Sequence, residues 1–316
     1  MSQVAGKTRT KARAWRGRYS HAWHASCLGR PRGHHGATFV ECRITLLGHV
    51  LLVGLPIIGC HSATVPRCIS GGGPADSASA PVVGLWPNEP AGFTVLSDGA
   101  MDALVGKTWR ILQRRTTNGS GAGLTSDTTT AGTVSRVLQF TYAAGFPGGY
   151  EPAVVFYNPP TPVRETYFGF RWKPGAPWEP HPSGVNKIAF MFPATSSAGT
   201  LYLMMFFDGT NYTIQVEPTF EKDTRRLPPN VTATPVVLGA WHLIEWYARY
   251  STTSTSRDGV AKWWLDGVLQ GEYSDLQMPP DAGFIEYQFA PTWGGMEGSK
   301  ARTGCYWYER AHISRR

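Results

Sequence analysis

The feature that most constrains this chain is a period of two. From Ser135 onward, short runs alternate apolar and polar residues: "SRVLQFTYA" (135–143), "ETYFGFRWK" (165–173), "VNKIAFMF" (185–192), "TLYLMMFF" (200–207), "NYTIQVEP" (211–218), "WHLIEWYARY" (241–250), "GVAKWWLDG" (259–267), "GFIEYQFA" (283–290) and "CYWYERAHIS" (305–314). Successive side chains of an extended strand point to opposite faces, so these runs suit half-buried strands rich in aromatic and β-branched residues. No stretch sustains a period of 3.6. Asp208-Gly209 and Asp266-Gly267 separate pairs of runs and supply the positive φ angles of tight hairpins, and Asp258-Gly259 closes a longer connection. No internal repeat is present, which argues against propellers and solenoids. Ten or more strands in one domain over residues 82–316 predict an all-β, two-sheet sandwich.

One run poses the functional question. Along "WHLIEWYARY" one face carries His242, Ile244, Trp246, Ala248 and Tyr250, and the other carries Trp241, Leu243, Glu245, Tyr247 and Arg249. A carboxylate, a phenol and a guanidinium in a row are either a wet surface or the floor of a site.

Charge excludes one class of partner. The net charge of +8 resides in residues 1–59, which hold nine Lys/Arg and one acid, Glu41, so the rest of the chain is neutral. A nucleic-acid-binding domain needs excess basic charge on its folded part, and none is present. The front end reads instead as an export signal. Residues 44–59, "ITLLGHVLLVGLPIIG", form an apolar run between Arg43 and Cys60, and sixteen residues are short for a membrane span of ~20. Ile57-Ile58-Gly59-Cys60 is similar to a bacterial lipobox, which makes Cys60 a lipidation candidate. Residues 1–39 fit no export signal and read as a non-native or disordered extension, with a start at Val40 giving a compact signal over 40–60. Residues 61–81 are dominated by Gly, Ser, Ala and Pro and predict a flexible tether. The expected protein is an exported, monomeric cell-envelope lipoprotein, attached to the membrane through its lipid alone or released. Of the five cysteines none forms a CxxC pair, and Cys305 is expected to be a buried free thiol.

The run "AWHLIEWYARYSTTSTSRDGVAKWWLDGVLQ", followed by "FAPTWGG" and the closing strand "CYWYERAHIS", resembles the concanavalin A-like lectin/glucanase superfamily, in its bacterial branch near polysaccharide lyases and laminin-G-type modules. "WPNEPAGFTVLSDG" (86–99) fits the first strand of such proteins, and the likeness covers residues 85–314. It implies a jelly roll with one sheet curved around a groove. On that expectation Tyr167, Arg171, Lys187, Gln215, Glu217, Glu245, Tyr247 and Arg249 share a concave trough for a polysaccharide, with Trp293 of "PTWGG" as a stacking platform at its end. Phenols, guanidinia and an ammonium suit a uronic-acid polymer better than a neutral glucan.

Activity stays open among three readings: a carbohydrate-binding protein, a polysaccharide lyase working by β-elimination, and a non-catalytic structural or adhesive module. The resemblance implies Glu-x-Asp-x-x-Glu for hydrolases, and no copy occurs. The Gln-Ile-His of alginate lyases is replaced by Lys187-Ile188-Ala189, and their Arg-x-Glu-x-Arg is missing. Tyr167 or Tyr247 could act as base beside Arg171 and Lys187, and His181, in the Pro-rich "WEPHPSG", is a further catalytic candidate. His242, sharing a face with Ile244 and Trp246, reads as a hydrogen-bonded sheet histidine. Trp263 and Trp264 must point to opposite faces, one of them into the core. No cofactor is expected beyond a structural calcium, for which Asp98, Asp258 and Asp275 are the loop acids available.

Overall fold

A computed structural model describes Cys68 and residues 85–316, apart from 116, 130, 195–199, 221 and 279–282. The strands are β1 (Thr94–Ala100), β2 (Arg110–Gln113), β3 (Gly121–Thr128), β4 (Val134–Tyr142), β5 (Ala153–Tyr157), β6 (Glu165–Pro174), β7 (Val185–Pro193), β8 (Leu201–Phe207), β9 (Tyr212–Pro218), β10 (His242–Arg249), β11 (Gly259–Leu265), β12 (Val268–Leu276), β13 (Phe284–Phe289) and β14 (Gly304–Arg315), with one short helix, α1 (Met101–Leu104).

They form two antiparallel sheets. The eight-stranded sheet runs β12-β11-β10-β6-β14-β4-β3, with β1 also paired to β14; the six-stranded sheet runs β2-β5-β13-β7-β8-β9. Each alternating run of the sequence is a strand, and the sandwich follows from their oily faces. Phe168, Phe170 and Trp172 of β6, Ile244 and Trp246 of β10, and Tyr306 and Tyr308 of β14 meet Leu201, Leu203 and Met205 of β8 and Tyr287 and Phe289 of β13 in one continuous core. Fully burying each such ring or branched chain contributes roughly 1.5–3 kcal/mol. Trp246 and Trp263 are fully buried, which makes Trp263 the core member of the adjacent tryptophan pair. Asp266 and Gly267, at φ 53° and 80°, make the tight two-residue turn between β11 and β12.

Two differences from the sequence reading stand out. β2, β3 and β5 were not anticipated. Cys305 is not a free thiol: it is disulfide-bonded to Cys68, 237 residues away in sequence, with the Cα atoms 6.2 Å apart. The tether expected over 61–81 is therefore pinned to the sandwich at Cys68. The apolar run 44–59, the lipidation candidate Cys60 and the start at Val40 lie outside the described residues. None of the described helices is long and apolar enough to cross a membrane.

Candidate functional site

Each sheet has one face in the core and one facing outward. On the eight-stranded sheet the outward residues are Tyr167 and Arg171 of β6, Glu245, Tyr247 and Arg249 of β10, and Arg310 and His312 of β14, in register with one another. A segment preceding β1 lies across them like a strap. Asn88 donates its backbone N–H to Glu245 Oε1 (2.9 Å) and its amide to Oε2 (2.8 Å), and the Tyr167 hydroxyl donates to Oε1 (2.5 Å). The Trp86 ring stacks on His312 with centroids 5.1 Å apart. It also lies over Gly169, where an added Cβ would come within 2.5 Å of the indole, so only glycine permits this approach. His312 bridges Asp98 of β1 and Glu89 of the strap at 3.2 and 2.9 Å. Glu245 and Tyr167 are fully buried. Burial, reinforced by the Glu245 charge, drives the Tyr167 phenol far above its ordinary range. Further along the same face, Val137, Cys305 and Trp307 are covered by Cys68 and Trp241.

The outward face of the six-stranded sheet differs. Among the described residues no further layer of strands or helices lies over it. Register aligns one row across all six strands: Glu217, Tyr202, Phe190, Gln288, Phe156 and Arg110. At the strand spacing of 4.8 Å this row is ~24 Å long. A second row sets Gln215, Met204 and Lys187 side by side. Val154, Val185, Phe190, Tyr202, Met204 and Ala290 pack as an apolar bed, flanked by Phe156, Phe192 and Phe206. Arg110 lies 4.4 Å over the Phe156 ring, Arg226 lies 4.4 Å over Phe206, and Arg226 pairs with Glu217 at 3.3 Å.

Two polar side chains sit on this bed, Lys187 and Gln215. Lys187 Nζ sits 4.6 Å from the Tyr202 ring centroid and 5.8 Å from that of Phe190, and no carboxylate lies within ion-pair distance of it among the described residues. Burial pulls its ammonium below the ordinary lysine value, with Glu217 and Glu151 opposing the shift from further away. The Gln215 side chain is nine-tenths buried, and its Oε1 accepts no hydrogen bond. Tyr202 donates to Glu217, and its phenol is held above the ordinary range, first by burial and then by that carboxylate. Glu151, partly buried and 3.7 Å from Arg114, has its carboxyl raised by desolvation.

The single trough expected from the sequence is therefore split. Tyr167, Arg171, Glu245, Tyr247 and Arg249 lie outward on the eight-stranded sheet, whereas Lys187, Gln215 and Glu217 lie outward on the six-stranded one, across the core. Alternation sorts inward from outward side chains but assigns no strand to a sheet. Trp293 is 2% exposed rather than a free platform: its indole donates to the Glu179 carbonyl (3.0 Å) and packs edge-on against His181. His181, expected to be exposed, is 5% exposed and clamps its loop, its ring bonded to Ser183 Oγ (2.8 Å) and the Glu297 carbonyl (2.7 Å). His242 is hydrogen-bonded between Asp266 and the Val237 carbonyl, at 2.7 and 2.9 Å. The three acids considered for calcium do not converge as loop ligands. Asp98 lies in β1 and binds Arg310 (2.6 Å), Asp275 lies in β12 and binds Arg225 (2.5 Å), and Asp258 caps Thr252, whose bonds hold its carboxyl at about 2. The sequence reading missed Tyr202, Phe190, Gln288, Phe156 and Arg110. Only cross-strand register aligns them, and β5 and β2 were themselves unforeseen.

No protein-family profile matches this chain, and no curated protein is similar to it in sequence. Solved structures do share its fold. An alginate lyase from Chlorella virus superposes with a TM-score of 0.50 at 12% identity, covering 71% of this chain and 100% of that one. The alginate lyase Aly36B gives 0.48 at 13% identity, covering 66% and 97%. An endo-β-1,4-glucuronan lyase from the fungus Trichoderma reesei gives 0.45 at 17% identity, covering 66% and 95%. With two antiparallel sheets packed face to face and not closed into a barrel, the chain has an all-β jelly-roll sandwich fold, like that of the Chlorella virus alginate lyase.

Proposed function

We propose that the protein binds a uronic-acid polysaccharide along the outward face of its six-stranded sheet. The observation that carries this reading is the Lys187 ammonium, set over the aromatic bed with no carboxylate within ion-pair distance among the described residues. A half-buried ammonium over aromatic rings and without a counter-ion attracts a ligand carboxylate. The Tyr202, Phe190 and Phe156 rings suit the C–H faces of pyranoses. The alginate and glucuronan lyases that share the fold act on polymers of this chemical class, which supports the reading by analogy of fold. Export, with lipid attachment at Cys60, accords with such a ligand and with a structural disulfide, since disulfides persist in oxidising compartments.

One observation favours lyase activity as a second reading. Lys187 has a depressed ammonium pKa and lies beside Tyr202, a phenol held protonated. The neutral amine of Lys187 could remove the C5 proton of a uronate, while Tyr202 protonates the departing O4 as the C4–O4 bond breaks and the C4–C5 double bond forms. The test combines retardation on polysaccharide gels with ultraviolet absorbance of the unsaturated product. Binding predicts retardation by uronic-acid gels without product, and Lys187→Ala weakens it about tenfold. Product formation that Tyr202→Phe abolishes establishes the lyase instead. Retardation unchanged in Lys187→Ala removes this face from both readings.

A further inference from the structure

We infer that the protein carries a second sugar site, on the outward face of the eight-stranded sheet around Trp264. Trp263 points inward, buried, its indole donating to the Ile214 carbonyl at 2.9 Å; Trp264 must then point outward, and it is only half-buried. It sits opposite Glu245 on β10, just beyond the edge of the strap. There a depression of about 470 Å³ opens between Trp264, Tyr247, Arg249 and Lys262, closed at one side by Asn88 and Pro90. That volume falls in the range of small-molecule sites.

The chemistry is that of sugar recognition. The indole offers a face for pyranose C–H groups. Lys262 and Glu272, paired at 2.7 Å with side chains 32% and 42% exposed, offer donors and an acceptor for hydroxyls without further desolvation. Among the described residues Arg249 makes only a 3.4 Å bond to the Asp258 carbonyl, which leaves guanidinium donors for a ligand oxygen. Two cations and one acid admit neutral or carboxylated sugars. A protein partner would need a flat apolar patch; here an aromatic floor lies within a charged rim. The ligand class rests on the function proposed above, but the site does not share a residue with the Lys187 face. Because the two sites lie on opposite faces of the sandwich, one molecule would bridge two polysaccharide strands rather than grip one.

Calorimetric titration of the full chain with a uronic-acid hexasaccharide and, in parallel, a neutral β-glucan hexasaccharide tests this. Two binding events are expected. Trp264→Ala weakens one by about two- to tenfold, Trp264→Phe less so, and neither touches the core. Arg249→Ala weakens the same event, while Lys187→Ala weakens only the other, by about tenfold. Light scattering of mixtures with long polymer should fall to the level of simple binding in each single-site variant. Identical titrations for wild type and Trp264→Ala overturn the second site. A change in stability without a change in titration also overturns it, because Trp264 then packs against another part of the chain. An unchanged titration for Lys187→Ala overturns the six-stranded face and leaves this site to be judged on Trp264 and Arg249 alone.

Discussion

The outward faces of the two sheets carry similar residue types and use them differently. On the eight-stranded sheet Glu245 accepts three hydrogen bonds, all from residues of this chain, and His312 is held between two carboxylates. On the six-stranded sheet Lys187 has no carboxylate within ion-pair distance among the described residues, and Gln215 Oε1 has no donor. A buried polar group whose bonds close within the protein fastens structure. A partly exposed cation with no counter-ion is available to a carboxylate from outside. The row Glu245, Tyr247, Arg249 is thus neither a plain wet surface nor the floor of one trough: its first member anchors the strap, and the other two border the depression at the strap's edge.

The largest expected effect that could break this contrast is on stability. Glu245→Ala strands the Tyr167 hydroxyl and the Asn88 donors, and should lower unfolding free energy by about 3 kcal/mol in urea titrations while polysaccharide retardation on the Lys187 face persists. Loss of retardation at unchanged stability would reverse the roles of the faces. Gly169→Ala should cost about 2 kcal/mol by pushing Trp86 off the sheet, seen as a lower melting temperature and increased proteolysis before β1. The smallest effect sharpens the other face. Lys187 is depressed below the ordinary 10.5, so the unfolded state binds more protons between the folded value and 10.5, and stability rises with pH across that window. Binding of a carboxylated polymer moves oppositely, falling about threefold as the ammonium neutralises, because only the charged form attracts the ligand. Lys187→Arg should flatten that profile; an equally steep one would assign the titration to another group.

Much of the fold was legible because alternation and Asp-Gly turns are local signals. Each run from Ser135 onward became a strand within a residue or two of its expected ends. β3 escaped because "GAGLTSDT" is glycine-rich with weak alternation, and β2 because its four residues are all exposed. The site was less legible. Whether Lys187 and Tyr247 share a face depends on which sheet each strand joins, a long-range property that no run encodes. Trp293 and His181 misled for a related reason: a Gly- and Pro-rich stretch reads as an open loop, yet each ring is locked by the other's segment. Cys68 could not be matched to Cys305 from spacing alone.

That cross-link has a consequence for limited proteolysis of the molecule. A single protease cut anywhere between Cys68 and Cys305 leaves both fragments covalently joined. Liberating the sandwich from the residues ahead of Cys68 therefore takes either a cut upstream of that cysteine or two events together, a nick and a reductant.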